Sequence, residues 1–213
     1  DPNKDQSYFL AGLNQKQLSK AVFPIGDIKK PEVRQIAKQA KLVNADRKDS
    51  QGICFIGKVD LKIFLQQKIK PKVGDIVDTK GNVLGEHQGV WYYTIGQRKG
   101  LDIGGSGPWY VVKKDIKNNK LIVGHVDDEA LYNKSVQISD LHWLAKEHKL
   151  PLKAKAQIRY RQPGQEMVIK SPKPPLSRGL YEVEFKKPQA GVASGQIIAV
   201  YKGKELVASA NIV

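Results

Sequence analysis

The chain has 213 residues, 40% of them hydrophobic, which is enough for one large cored domain or two modest ones. Its 36 Lys and Arg against 21 Asp and Glu give a net charge of +15, an excess that points to a polyanionic partner. A single cysteine excludes an internal disulfide, a thiolate-rich zinc site and an internal redox pair, and it fits a reducing compartment.

No apolar run approaches the ~20 residues needed to cross a bilayer. The opening Asp1-Pro2-Asn3-Lys4-Asp5-Gln6 has no basic-then-apolar leader pattern. The expectation is a soluble, cytoplasmic monomer with no membrane role. The charge is spread over folded-looking segments, as a binding face would be, although a merely lysine-rich solvated surface gives the same count.

Residues 1–57 read as helices and loops. Asn14 can cap a helix over 16–22, which Pro24 and Gly26 end. Pro31 suits the first turn of a second helix, in which Val33, Ile36, Ala37 and Ala40 fall on one face. The whole stretch looks like the trailing end of an α/β unit. Asp49-Ser50-Gln51-Gly52-Ile53-Cys54-Phe55-Ile56-Gly57 follows, flanked by Arg47, Lys48 and Lys58. Nearby cations favour a thiolate, and glycines let a loop approach a substrate, so Cys54 is a candidate reactive sulfur. Ile-Cys-Phe-Ile also reads as a short buried strand in which Cys54 only packs.

Residues 58–70 carry a further amphipathic helix with Leu61, Phe64 and Leu65, ended by Pro71. The period then becomes strand-like. Residues 58–130 read as a small central β domain. One hairpin joins 74–78 and 82–85 across Lys80-Gly81, and another joins 109–113 and 120–125. Residues 90–94 have a strand-like composition. The loop from Gly96 to Gly105 is glycine-rich and basic, and its backbone could hold an anion, but it lacks the Gly-Lys-Ser/Thr of a phosphate-binding loop.

Residues 131–213 are β throughout. Ala154, Ala156, Ile158 and Tyr160 alternate with Lys153, Lys155, Gln157 and Arg159; Tyr181, Val183 and Phe185 alternate with Glu182, Glu184 and Lys186. A last hairpin turns at Lys202-Gly203-Lys204. About six short strands predict a closed antiparallel barrel, which removes exposed edges. The fold class expected is therefore mainly β, α+β overall: a helical remnant of an α/β domain (1–57), the central β domain (58–130) and a six-stranded antiparallel barrel (131–213). His87, His125, His142 and His148 show no ligand spacing, and no metal site is expected.

Several segments together resemble the tRNA-specific 2-thiouridylase family. They are Asn3-Lys4-Asp5-Gln6-Ser7-Tyr8-Phe9-Leu10, Phe23-Pro24-Ile25-Gly26, Glu32-Val33-Arg34, the Cys54 stretch, and Gly85-Glu86-His87-Gln88-Gly89. Tyr93-Thr94-Ile95-Gly96-Gln97-Arg98-Lys99-Gly100-Leu101, Trp109-Tyr110-Val111-Val112 and Arg159-Tyr160-Arg161-Gln162 complete the set, in family order. The resemblance implies ATP-dependent thiolation of C2 of the wobble uridine of tRNA. Cys54 would carry the sulfur as a persulfide, supplied by a relay protein fed by a cysteine desulfurase. It further implies tRNA contacts, in the anticodon region, at Lys4, Asp5 and Gln6, at Arg159 and Tyr160, and at Gln196.

Lys4 and Arg159 suit phosphates, and Tyr160 suits a base or ribose, unless it is simply a barrel-core tyrosine. Strand alternation puts Arg159 and Tyr160 on opposite faces, so one of them is expected at a strand end or bulge. The family's Ser-Gly-Gly-x-Asp-Ser pyrophosphate loop and its second cysteine do not occur in these residues. ATP, with Mg2+, is expected to be bound by an N-terminal half not represented here, leaving a fragment unable to adenylate alone. The competing readings are a non-catalytic RNA-binding β module and a translation-factor-like barrel that binds protein.

Overall fold

The computed structural model describes residues 1, 3–48, 59–104, 107–172 and 179–213. Cys54, with residues 49–58 around it, lies outside the described residues.

The N-terminal stretch holds a 3-10 turn (Ser7–Leu10) and two helices, α1 (Gln15–Leu18) and α2 (Lys30–Gln39). Asn14 caps α1 as expected: its side chain accepts from Gln17 N at 2.9 Å, and Gln17 returns the bond to Asn14 N. The helix is shorter than predicted. The Ser19 hydroxyl bonds back to Lys16 O at 3.0 Å, an alternative to continuing the ladder, and Val22 ends up 82% exposed. Pro31 lies in the first turn of α2, where the Asp1 carboxylate accepts the Lys30 N–H at 2.8 Å. The apolar face of α2 is not buried among the described residues. A third helix, α3 (Leu61–Gln66), is capped by Asp60, which accepts from Ile63 N.

A four-stranded sheet follows: β1 (Gly74–Asp78), β2 (Val83–His87), β3 (Tyr110–Asp115) and β4 (Lys120–Gly124), in the order β2-β1-β4-β3. Both predicted hairpins form. They are joined by a parallel β1–β4 pairing, Ile76 to Leu121 and Val77 to Ile122, which makes the sheet mixed. Residues 90–94 do not form a strand. Val90–Tyr92 is a 3-10 turn, and the two buried side chains, Val90 and Tyr93, are three apart and not two. Ile76, Tyr93, Leu101, Val111, Leu121 and Val123 make the core of this unit.

The remaining strands are β5 (Tyr132–Trp143), β6 (Leu152–Gln157), β7 (Gln165–Ile169), β8 (Tyr181–Ala190), β9 (Ile197–Lys202) and β10 (Glu205–Ile212). Every neighbouring pair is antiparallel, and together they close the barrel β10-β5-β8-β7-β6-β9. The predicted alternation places Ala156, Ile158, Val183 and Phe185 in its core, with Ile138, Ile169, Ile198 and Val200. Outside, Lys170 pairs with Glu182 at 3.0 Å and Glu184 at 2.9 Å. On β9 and β10 the alternation breaks: Ile198, Ala199 and Val200 are all buried, as are Val207, Ala208, Ser209 and Ala210. Their outer face is covered by the N-terminal stretch, whose Ala11 carbonyl accepts from Ser209 Oγ at 2.7 Å.

Candidate nucleic-acid interface

Ile158 is the last inward residue after β6. Beyond it the chain reverses over 159–162, closed by Gln162 N donating to Arg159 O at 3.1 Å. The Gln162 side chain fixes this turn on both sides. Its Oε1 accepts from Ile158 N at 3.0 Å, and its Nε2 donates to Oε1 of buried Gln189 at 2.9 Å. Tyr160 is therefore not a core side chain. Its ring lies against exposed Phe9, with centroids 4.6 Å apart, and the Arg161 guanidinium carbon stands 5.3 Å from its centroid.

The N-terminal stretch is held on this end of the barrel by hydroxyls. Tyr8 OH donates to Ile197 O at 2.9 Å and Ile158 O at 3.3 Å, and Ser7 Oγ meets Tyr201 OH at 3.0 Å. His142 Nε2 lies 3.0 Å from Leu13 O. Burial raises the Tyr8 phenol above its ordinary pKa; nearby Tyr201 adds to this and Arg159 opposes it. Burial likewise raises Tyr201, with the Ser7 bond opposing and Asp5 adding.

The candidate residues thus gather around one rim. Asp5 accepts from Ser7 N at 2.8 Å, and Gln6 precedes the 3-10 turn that carries Tyr8 and Phe9. Lys4, Asp5 and Gln6 are all exposed. Gln196, next to Ile197, uses its side-chain oxygen to accept from Ala193 N at 3.1 Å, and its carbonyl accepts from Ile212 N at 2.8 Å. Asn3, Asp5, Gln157, Arg161, Gln162 and Pro163 line a polar cleft of about 360 Å³.

Arg159 is engaged differently from Tyr160. Its Nη2 donates to Ile95 O at 3.0 Å and to Gly191 O at 2.6 Å, tying the loop after the 3-10 turn of the sheet unit to the barrel. Gly96 and Gly191 make room for it, with φ of +80° and +64°. A Cβ on Gly96 would lie 2.6 Å from Nη2 and 3.1 Å from Gly191 Cα. The glycine-rich loop is also internally bonded. Gly96 N donates to Val111 O at 2.7 Å and Thr94 N to Gln97 Oε1 at 2.9 Å, while Arg98 and Lys99 are exposed.

Phe9 and Arg161 were quoted in the sequence only as parts of motifs. Their place at this rim had no signal there, because it depends on the reversal after Ile158 and on contacts between distant parts of the chain.

Three family models match in succession: a tRNA methyl transferase HUP domain over 1–58, a tRNA methyl transferase PRC-barrel domain over 62–125, and an aminomethyltransferase beta-barrel domain over 133–212. A tRNA-specific 2-thiouridylase MnmA of Geobacillus thermodenitrificans is 46% identical over 215 residues, covering 100% of this chain and 57% of the relative. The chain belongs to the tRNA-specific 2-thiouridylase family. Other members of the family include the MnmA of Shouchella clausii, 44% identical over 210 residues, with 97% of this chain and 57% of the relative covered. The MnmA of Legionella pneumophila is 43% identical over 219 residues, with 100% and 60% covered. The chain therefore spans little more than half the length of these relatives.

ATP, implied by the family, finds no fitting site among the described residues. No group of three or more His, Cys, Asp or Glu is placed to hold a metal there, and the N–H groups of Gly96 and Gln97, which open the glycine-rich loop, are already engaged with Val111 O and Thr94 O.

Proposed function

We propose that this chain supplies the tRNA-docking and sulfur-carrying parts of a tRNA 2-thiouridylase acting at C2 of the wobble uridine. The observation that carries the reading is the convergence of the 3–8 stretch with the 159–162 turn on one barrel rim of a protein of charge +15. Lys4 adds a cation there, Asp5, Gln6 and Gln196 add polar groups, and Tyr160 offers an aromatic ring beside Phe9. Arg159 acts on tRNA by holding this rim against the Arg98 and Lys99 loop. Cys54 is the sulfur carrier: the outer sulfur of its persulfide bonds to the uridine C2, the activated C2 oxygen leaves, and a second thiol from outside these residues attacks Cys54 Sγ, so that the S–S bond breaks and the resulting disulfide takes up the oxidation. Activation of that carbon by ATP is assigned to no described residue of this chain. The working state is a cytoplasmic monomer that receives sulfur from a relay protein fed by a cysteine desulfurase.

The relatives, named as 2-thiouridylases, favour thiolation over the methyl transfer in the names of the matching domain families. In an enzyme of full family length, Cys54→Ala is expected to abolish 2-thiouridine formation while tRNA binding is kept. Normal 2-thiouridine in that variant removes Cys54 from the chemistry. The binding-module reading then stands, because the described rim binds without chemistry of its own.

A further inference from the structure

We propose that Arg161, lying over the Tyr160 ring beside exposed Phe9, is the guanidinium that grips an unpaired nucleotide of the RNA. The inference rests on tRNA docking at this rim and goes beyond it by naming the contact residue and the state of the nucleotide.

Arg161 has φ +64°, a left-handed conformation in which an L side chain is disfavoured relative to glycine. The turn around it is fixed from both sides by the Gln162 side chain, so the conformation is imposed by its surroundings. An arginine kept where glycine would be easier points to a use for the side chain. That side chain is exposed, and among the described residues its guanidinium makes no hydrogen bond or ion pair beyond its contact with the Tyr160 ring. Arg159, two residues earlier, already spends its Nη2 on two carbonyls.

The cleft beside Arg161 is of small-ligand size. It sorts its occupant by charge. The Asp5 carboxylate repels a phosphate but accepts from a base N–H, and Arg161 at the opposite chemical extreme takes the phosphate. The Asn3, Gln157 and Gln162 amides supply further donors and acceptors. Phe9 and Tyr160 give the base an aromatic surface. The Watson–Crick N–H groups of a base are available to Asp5 only when the nucleotide is unpaired.

The test compares the chain with Arg161→Gly, using an RNA hairpin with an unpaired loop and a duplex of equal length. Glycine accepts φ +64°, so Arg161→Gly should keep or raise Tm. It should bind the hairpin about tenfold more weakly, with the salt slope reduced by about 0.7, and bind the duplex as before. Unchanged hairpin binding, equal weakening on both RNAs, or a fall in Tm each overturns this inference. If the unaltered chain binds neither RNA, the docking reading itself fails.

Discussion

His87 is almost wholly buried between the ends of β2 and β4. Gly89 N–H donates to its Nδ1 at 2.9 Å, which leaves the proton on Nε2, facing Asn119 O at 3.1 Å. Burial pushes its pKa below the ordinary 6.5, although the Asn119 contact and Asp75 oppose this. The unfolded chain therefore takes up a proton near 6.5, while the folded chain resists until lower pH. Stability from this group is complete above about pH 6.5 and falls as the solution is acidified below it. Asp78 and Asp115, held below 3.8 by Asn82 and Asn118, contribute nothing to that window. Urea midpoints should drop between pH 7 and pH 5.5, and His87→Gln should flatten that dependence. An equal slope in the variant would place the effect elsewhere.

Among the elements, the strands that announced themselves by alternation are those with one wet face and one dry face, whereas β9 and β10 were marked by the turn between them. β6 and β8 carry Lys or Glu against Ala, Ile, Val and Phe, so their period is plain. β5 was not legible as a strand because Asn133, Lys134, Ser135, Gln137, Ser139 and Asp140 interrupt its apolar residues, of which Val136 and Ile138 are buried and Leu141 and Trp143 partly buried against the core. The parallel β1–β4 pairing has no turn chemistry to mark it, unlike the hairpins. At the rim, the motif residues were legible by resemblance, but the division of labour between Arg159 and Arg161 was not, since it follows from the reversal after Ile158. The attachment of the 7–13 stretch makes its own prediction. Tyr8→Phe removes a hydroxyl that serves two carbonyls, at a cost of about 1 kcal/mol. Amides of residues 7–13 should exchange faster while those of β1–β4 do not. Uniform acceleration would mean that Tyr8 supports the whole fold and not this attachment.

At the scale of the molecule, two buried clusters, one in the sheet and one in the barrel, are bridged by the Arg159 guanidinium. Arg159→Ala strands two carbonyls, which costs about 2 kcal/mol. It should also let the two units unfold at separate urea concentrations. Lysine should not restore a single transition, because its side chain ends one bond short of the Nη2 position from which both bonds are made. A coincident, unshifted transition in Arg159→Ala would show the two cores to be coupled by other means.

The bond from Ser209 to Ala11 joins positions 198 apart in the chain. During synthesis, the stretch with Tyr8 and Phe9, made before the barrel strands, must therefore wait, undocked, until β10 has left the ribosome. Nascent chains halted before β10 should be the ones that chaperones hold longest.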